Sequence, residues 1–301
     1  MENLKTVYEQ LKEIILSHAE SPGDHQTMVP EMVFHRRDET SKADNCFYKP
    51  LASVVVQGYK RSIWGNKEHY YGQGHSVVNG VDMPSASFIT EASPARPFLV
   101  VSMAIDSQLL ASLSAEMPAP PKMAESYETV VITKTGPDLL DAYLRLALLL
   151  EKPEQIPLLA PLIIKEIHYR LLIGPQGAQL RLVNTLGSQS HQVAQAIYWL
   201  KKNYMKPLQV AELAQRVNMA TSTFHRHFRN VTTLSPLQYQ KHLRPYEAQR
   251  PMMVEKADAL NACLAVGYES PNQFNREYKR LFGEPPHRDI SRRSKAAGPA
   301  A

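Results

Sequence analysis

The chain has 301 residues, 44% of them hydrophobic and 21% charged, with a formal net charge of +5 at pH 7. This composition is typical of a soluble globular protein of about two domains, and no apolar run reaches the roughly 18 residues that a membrane span needs. It therefore excludes a membrane-spanning protein. The N-terminus lacks the pattern of a signal peptide, and Cys46 and Cys263 belong to no paired motif, so we expect a cytoplasmic location.

Charge is divided unevenly along the chain. Residues 1–187 contain 17 Lys and Arg against 21 Asp and Glu, a net charge of −4, whereas residues 188–301 contain 17 against 8, a net charge of +9. An asymmetry of this size indicates a C-terminal domain that binds a polyanion, with a basic solvated surface as the alternative. We therefore predict one domain over 1–187 and a second over 188–301.

The first predicted element is an amphipathic helix over residues 3–18, which packs on either domain or on a partner. Short β-rich runs follow, broken by Gly, Pro and Asn, and they predict a small barrel or sandwich over about 29–115. The turn at residues 64–67 predicts a hairpin. A barrel of this size either holds one small ligand or fills itself with side chains, and the sequence does not choose. The runs are MVFHRR, LASVVVQG, KRSIWG, EHYYGQGHSVVN, ASFITEA and PFLVVSMAI.

Two apolar helices are predicted next, over about 138–150 and 156–173. The first carries a stripe too wide for a solvated helix, so it packs against the β-rich region, forms a dimer interface, or does both. Residues 174–190 predict the domain junction, and a helix over 192–204 begins the basic domain. The stripe consists of Leu139, Leu140, Tyr143, Leu146, Ala147 and Leu150.

Two helix-turn-helix units are predicted in the basic domain, over about 207–230 and 257–283. In the first, Phe224 and Phe228 are four residues apart and face inward, while small polar and cationic groups face outward as a helix in a major groove requires. Among these, Arg226 suits a bidentate contact to guanine. The outward residues are Thr221, Ser222, His225, Arg226 and Arg229.

The second unit repeats this pattern, with Phe274, Tyr278 and Phe282 on its inner face. Ser270 is placed to cap the helix and Pro271 suits its first turn. A connecting helix over 236–253 would run about 27 Å, so one domain is expected to reach two adjacent major grooves of double-stranded DNA, about 34 Å apart. Asn272 or Gln273 suits adenine, and Arg276 suits guanine or a phosphate. The outward residues are Asn272, Gln273, Asn275, Arg276, Lys279 and Arg280.

Several stretches resemble the AraC/XylS family of bacterial transcription regulators. In the C-terminal domain they are SPLQYQKHLR and VGYESPNQFNREYKRLFGEPPHRDI. Upstream, the N-terminal ligand-sensing and dimerising domain of one branch of that family is resembled by FYKPLASVVVQGYKR, VDMP, EASPARPFLVVSM and IPLLAPLIIKEIHYRLLIGPQG. The resemblance covers nearly the whole chain.

This resemblance implies an α+β protein with an N-terminal cupin-like β-barrel, dimerisation helices and an all-helical DNA-binding domain. It implies a one-component regulator that binds specific DNA sites as a homodimer and responds to a small effector, without enzymatic activity or a cofactor. The groove-facing positions it implies are Thr221, Ser222, His225 and Arg226 in the first unit and Asn272, Gln273, Asn275 and Arg276 in the second.

One departure from the family pattern concerns the connecting helix, which contains Pro245 and Pro251 where relatives usually have aliphatic residues. Each internal proline removes a hydrogen bond and costs about 3 kcal/mol or more, so we predict a kinked or split connector. On this view, Pro245→Leu combined with Pro251→Leu raises the melting temperature of the isolated domain, and an unchanged temperature would count against it.

Two other functions stay open on sequence grounds: a cupin-type metalloenzyme fused to a DNA-binding domain, and a DNA-binding protein indifferent to sequence. Against the first, His69 and His75 lack the further ligands of an iron or zinc site, and His225 and His227 point different ways on one helix. Against the second, the outward residues include Asn, Gln, Ser and His, which read bases. Cys46 is either a reactive thiol in an effector pocket or an inert core residue.

Overall fold

The computed structural model describes residues 2–41, 44–65, 67–118, 130–185 and 187–296. Its β-strands all lie in the first half of the chain, where short runs rich in β-branched and aromatic residues alternate with turns. The strands are β1 (Gly23–Gln26), β2 (Met32–Arg37), β3 (Asp44–Tyr48), β4 (Leu51–Gln57), β5 (Tyr59–Trp64), β6 (Lys67–Gly72), β7 (His75–Asn79), β8 (Met83–Glu91), β9 (Phe98–Ala104) and β10 (Val130–Lys134).

These strands form two antiparallel sheets. The larger has six strands in the order β1-β2-β9-β4-β7-β10, and the smaller has four in the order β3-β8-β5-β6. Apolar side chains from both sheets, such as Val55, Trp64, Met83 and Val100, form one buried cluster, so the sheets pack face to face. The expected α+β class is confirmed. The closed barrel is corrected to a sandwich, because strand pairing among the described residues stops at the edge strands of each sheet.

The hairpin expected at residues 64–67 is present as the antiparallel pair β5–β6, in which Trp64 lies opposite Lys67. Asn66, in its turn, lies outside the described residues. The single β-rich run EHYYGQGHSVVN forms two strands, β6 and β7, separated by Gln73 and Gly74.

Helices cover the outer face of the larger sheet and account for the main core of the first half. They are α1 (Glu2–His18), α2 (Ser107–Glu116), α3 (Pro137–Leu148), α4 (Ile156–Ile173) and α5 (Gly177–Asn184). Helix α1 packs here through Leu11 and Ile15, so of the two domains on which it could pack it belongs to the first. The apolar stripe of the helix predicted over 138–150 is buried in the same core, where the Tyr143 hydroxyl donates to the Ala52 carbonyl at 3.0 Å.

The second half is helical: α6 (Gln189–Asn203), α7 (Val210–Arg216), α8 (Thr221–Thr232), α9 (Pro236–Val254), α10 (Ala259–Ala265), α11 (Pro271–Phe282) and α12 (Pro286–Ala296). The predicted junction at 174–190 contains helix α5, which places Leu180 in the core of the first half and Val183 in that of the second. The two halves therefore share a packed boundary.

The connecting helix α9 runs through Pro245 and Pro251 as one helix, so of the two predicted alternatives, a kinked or a split connector, the split one is wrong. Its ends and its buried face offset the lost hydrogen bonds. Ser235 and Gln238 form a capping box at its start, and the buried Tyr239 and Leu243 hold the helix on the domain core.

None of the described helices combines the length and apolar character that crossing a lipid bilayer requires.

Candidate nucleic-acid interface

The first helix-turn-helix consists of α7, a turn and α8. Asn218 in the turn has a left-handed backbone, with φ of 54°, which asparagine tolerates better than most residues. Phe224 and Phe228 are fully buried on the inner face of α8, with their ring centroids 5.4 Å apart. The aromatic pair fixes the helix on the domain and determines which face points outward.

The outward face of α8 carries the residues that the sequence pattern selected. All five are exposed, and they present hydroxyl, imidazole and guanidinium groups to solvent. His227 is instead buried on the opposite side, where its Nε2 lies 3.4 Å from an Arg226 nitrogen. The exposed residues are Thr221, Ser222, His225, Arg226 and Arg229.

The second helix-turn-helix consists of α10, a turn and α11. Gly267 in the turn has φ of 83°, and a Cβ atom there would lie 2.1 Å from the Met205 carbonyl oxygen, so the turn requires glycine. The Ser270 hydroxyl caps α11 by accepting the Gln273 N–H at 3.3 Å, and Pro271 is the first helical residue. The expected cap is confirmed.

Helix α11 buries Phe274 and Tyr278 and exposes its remaining polar face. The exposed residues are Asn272, Gln273, Asn275, Arg276, Lys279 and Arg280. Every outward residue predicted in either unit is thus accessible to a macromolecule.

Glu277 on α11 was missed by the sequence reading. Its carboxylate accepts a hydrogen bond from the Tyr268 hydroxyl at 2.6 Å and another from Gln273 Nε2 at 3.2 Å. With Gln273, Arg276 and Arg280 it lines a shallow depression of about 310 Å³. The spacing of four residues between Gln273 and Glu277 was the available signal.

The connecting helix holds the two units together through side chains that bind backbone. Gln240 Nε2 donates to the carbonyls of Tyr204 and Lys206 at 2.9 and 2.7 Å, and Arg244 Nε donates to Tyr204 at 2.8 Å. These bonds hold the residues that follow α6, just before the first unit, against α9.

A buried carboxylate performs the same role for the second unit. Asp289 of α12 is fully buried and accepts from Tyr278 of α11 at 2.8 Å, from Gln249 of α9 at 2.9 Å, and from Arg293 at 3.0 Å. A buried carboxylate satisfied by several donors specifies one arrangement of the elements that supply them. Asp289 therefore holds the three helices α9, α11 and α12 together.

The first half of the chain contacts the connecting helix through β3. The Phe47 ring lies 5.3 Å from the Tyr239 ring and 5.0 Å from the Tyr246 ring, both nearly edge-to-face. Nearby, Lys201 Nζ pairs with Asp82 at 2.5 Å, and the Tyr239 hydroxyl donates to the Asp82 carbonyl at 3.0 Å. These contacts join distant segments, so no local sequence pattern predicts them.

Part of the inner face of the smaller sheet, beside its apolar cluster, is polar. Lys60 Nζ donates to the Tyr48 hydroxyl at 2.5 Å, and hydroxyl contacts of 2.9 to 3.3 Å continue through Ser87 and Ser62 to Tyr71. Burial raises the pKa of Tyr71 to about 12. In the part of the chain that the structure describes, no carboxylate oxygen lies within 4 Å of Lys60 Nζ.

Burial also raises the pKa of the neighbouring Cys46 thiol to about 11, which keeps the thiol protonated at neutral pH. This favours an inert core residue over a reactive thiol. The two histidines weighed as metal ligands lie in different surroundings. The His69 ring is 4.7 Å from the Trp64 ring, and His75 Nδ1 bonds to the Gly72 carbonyl at 3.0 Å.

Comparison with known proteins gives two family matches. The model for the N-terminus of AraC-type transcriptional regulators matches residues 28–179, about half of the chain, and a helix-turn-helix domain model matches residues 213–292.

The transcriptional activator RhaS of Pectobacterium carotovorum subsp. carotovorum (strain PC1) is 27% identical over 100 residues, which is 33% of this chain and 36% of the relative. RhaS of Yersinia pestis bv. Antiqua (strain Angola) is 28% identical over 115 residues, 38% of this chain and 41% of the relative. The chain thus spans well under half the length of these relatives.

Among solved structures, apo ToxT from Vibrio cholerae, carrying one substitution, has a TM-score of 0.60 at 8% identity and covers 88% of this chain and 99% of that chain. Wild-type ToxT bound to an unsaturated fatty acid has a TM-score of 0.55 at 9% identity and covers 85% and 94%. At these identities the likeness shows the fold alone.

Proposed function

The chain belongs to the family of AraC-type transcriptional regulators, and on that premise we propose that it is a one-component regulator that binds specific DNA sites in the bacterial cytoplasm. Residues 188–301 read the DNA, while residues 1–187 bind a small effector and join two protomers. The matched family is one of transcription regulators and not of enzymes.

The main support for this proposal is that the chain contains two helix-turn-helix units with the same division between a buried and an exposed face. Helices α8 and α11 each bury aromatic residues four apart and expose an opposite face of base-reading and cationic side chains. Two such helices fastened to one connecting helix suit two adjacent major grooves. The excess of basic residues after position 187 supplies the attraction to phosphate. The proposed contacts are Thr221, Ser222, His225, Arg226, Arg229, Asn272, Gln273, Asn275, Arg276 and Lys279.

Selection from a random double-stranded DNA library tests sequence-specific binding, because it requires no known operator. We expect the full-length protein to enrich one motif with two separated elements. Arg226→Ala and Arg276→Ala should each weaken binding to that motif by about 5- to 100-fold, the value of a bidentate arginine–guanine contact. The two variants should relax different elements of the motif.

Arg250→Ala is the matched control, since it removes the same charge from an exposed position on α9. Its effect on the selected site should stay within about threefold. Enrichment of no motif, with all sequences bound alike and equally weakened by salt, would instead support the sequence-indifferent alternative.

The polar part of the sandwich interior supports a site for the effector. Lys60 and the hydroxyl groups of Tyr48, Ser62 and Ser87 offer donors inside the sheet, and no carboxylate among the described residues neutralises the lysine. Such groups suit a small polar or anionic molecule. ToxT, which has a similar fold, has been solved with an unsaturated fatty acid bound.

Strand β3 offers a route from this interior to the DNA-binding helices. Successive side chains of a strand point to opposite faces. Tyr48 therefore joins the interior hydroxyl chain, while Phe47 packs on the rings of Tyr239 and Tyr246 of α9. A ligand that moves β3 would move the connecting helix that carries both reading units.

The exposed face of α4 supports dimerisation. Leu158 and Leu162 are 77% and 65% exposed, and Tyr169 and Ile173 continue the same apolar stripe. Beside it, α3, α4 and the residues between them line a depression of about 520 Å³ in which apolar and charged or polar side chains are equally represented. An apolar stripe with an adjacent groove on one surface fits a two-fold contact, in which each copy supplies both.

Leu158→Glu combined with Leu162→Glu tests this contact. Because both side chains are exposed, the monomer should keep its melting temperature within a few degrees, while light scattering should show the mass fall from a dimer to a monomer. Met28→Glu, at another exposed apolar position, is the control and should leave the mass unchanged. A dimer that persists in the double variant would place the interface elsewhere.

A further inference from the structure

We propose that Glu277 is a positioning residue that presets the side-chain amide of Gln273 for one base pair, with the buried Tyr268 hydroxyl fixing Glu277 in place. The inference deepens the proposed function, because it rests on α11 entering a major groove. It concerns one carboxylate, whose two oxygens serve two different neighbours. Oε2 accepts from the Tyr268 hydroxyl at 2.6 Å, and Oε1 accepts from Gln273 Nε2 at 3.2 Å.

Tyr268 is a rigid anchor. It is 4% exposed, and its ring packs edge-to-face on Phe274 at 5.3 Å, beneath the Arg244 guanidinium at 5.5 Å. Burial and the nearby Glu277 carboxylate raise the pKa of Tyr268, so its hydroxyl stays a donor at neutral pH. A short bond from a fixed hydroxyl to a carboxylate is among the stronger hydrogen bonds, and it removes much of the freedom of Glu277.

The Glu277 carboxylate then determines which end of the Gln273 amide faces it. An ionised carboxylate only accepts hydrogen bonds, so it selects the amino group of the amide and turns Oε1 away. The second Nε2–H and Oε1 remain available as one donor and one acceptor. Adenine presents a matching acceptor and donor, N7 and the N6 amino group, in the major groove. The amide is thus ordered before DNA arrives, and binding loses less side-chain entropy.

The neighbouring charges argue against an ion-pairing role for Glu277. Arg276 and Arg280 line the same depression, yet neither forms an ion pair with Glu277 in the described part of the chain. Glu277 is therefore not a partner that holds the arginines. Each of its oxygens already accepts one hydrogen bond, so a cytosine amino group could bind only a remaining lone pair.

The experiment compares base preferences, position by position, after selection from a random DNA library with the full-length protein. Gln273→Ala identifies the base pair that Gln273 reads as the one whose preference disappears. Glu277→Gln keeps the size but offers both a donor and an acceptor, and Tyr268→Phe keeps the ring but removes the hydroxyl. Each should reduce the preference at that same base pair by about threefold or more, since a bidentate contact is worth about 5- to 100-fold.

Glu269→Gln is the control for charge. Glu269 is exposed and precedes the cap of α11, so the variant removes one negative charge from the same unit and should raise affinity for all sequences without changing the profile. In the free protein, the Gln273 side-chain amide should give a separate, slowly exchanging NMR signal that Glu277→Gln and Tyr268→Phe abolish.

The outcomes separate this inference from the proposed function. If the unaltered protein enriches no motif, the proposed function fails and the inference fails with it. If a motif is enriched but Glu277→Gln leaves the Gln273 base pair unchanged, the positioning role is overturned while DNA reading stands. A change at a different base pair in Glu277→Gln would make Glu277 a direct reader and would equally overturn the inference.

Discussion

His168 shows how a single polar side chain is accommodated in the core of the first half. It is fully buried on α4, where Nδ1 donates to the Ile164 carbonyl at 2.8 Å and Nε2 accepts the Asp106 N–H at 3.0 Å. Because one ring nitrogen donates and the other accepts, the imidazole is neutral. Burial lowers its pKa below the ordinary value, which opposes protonation in the folded state.

This pKa makes stability depend on pH. The unfolded chain protonates His168 near its ordinary pKa of about 6.5, whereas the folded protein does so only at lower pH. The stabilisation that the neutral, buried imidazole gives the folded state is complete above the unfolded pKa of about 6.5. It is lost as the pH falls from there through the lower folded pKa. We expect the melting temperature to fall between pH 7.5 and pH 5.5, and to fall less in His168→Gln.

The His168→Gln variant should keep part of the dependence of melting temperature on pH, because His242 of α9 also has a lowered pKa. Burial is the larger cause of that lowering, and Arg280 is the second. His287→Gln, at an exposed position on α12, is the control and should keep the full slope. Equal slopes for His168→Gln and the unaltered protein would show that His168 is not the group responsible.

At the scale of elements, the connecting helix shows that packing overrides a local helix breaker. Pro245 is buried and Pro251 half-buried, and α9 continues through both. Just before the first proline, Gln240 and Arg244 donate hydrogen bonds to the backbone at Tyr204. These tertiary contacts stabilise the helix next to the point where proline removes one of its backbone hydrogen bonds. Tertiary contacts stabilise a segment that its sequence disfavours.

The missing backbone bond should still cost stability at Pro251. Pro251→Ala restores an N–H that can reach the Glu247 carbonyl, and it should raise the free energy of unfolding by about 1–3 kcal/mol. Chemical denaturation of the full chain measures this. Pro236→Ala is the control, since proline suits the first position of a helix, and it should give no gain. A loss of stability in Pro251→Ala would show that the proline ring is needed for packing.

The sequence predicted elements wherever the signal is local. The hydrophobic period located α3, α4, α8 and α11, and the polar outward faces of the last two are exposed as expected. Strand β3, with the sequence DNCFY, has no alternating pattern, and it is a strand because β8 pairs with it. Glu277 was missed for a similar reason, because its partner Tyr268 is identified only once the turn is folded. Contacts between distant segments leave no local period.

At the scale of the whole molecule, the two halves are joined where β3 and the loop before β8 meet α6 and α9. Phe47 lies between two aromatic rings of α9, and the Asp82–Lys201 pair lies beside the Tyr239 hydroxyl. At the far end, Arg293 of α12 pairs with Asp44 at 3.3 Å. The aromatic contact excludes water and dominates, because ion pairs that remain partly exposed contribute about 0–1 kcal/mol each.

If Phe47 couples the halves, removing its ring should let them unfold separately. We expect the unaltered chain to unfold in one calorimetric transition and Phe47→Ala to unfold in two, because truncation of a half-buried phenylalanine costs about 2 kcal/mol at this contact. Phe88→Ala is the matched control: Phe88 lies on β8, where its ring stacks under Arg61 at 4.0 Å. That variant should lower the temperature of a single transition, since the contact of its ring with Arg61 lies within the first half. A single lowered transition in Phe47→Ala as well would mean that the surrounding contacts hold the halves together. It would also mean that β3 does not control the positions of α8 and α11.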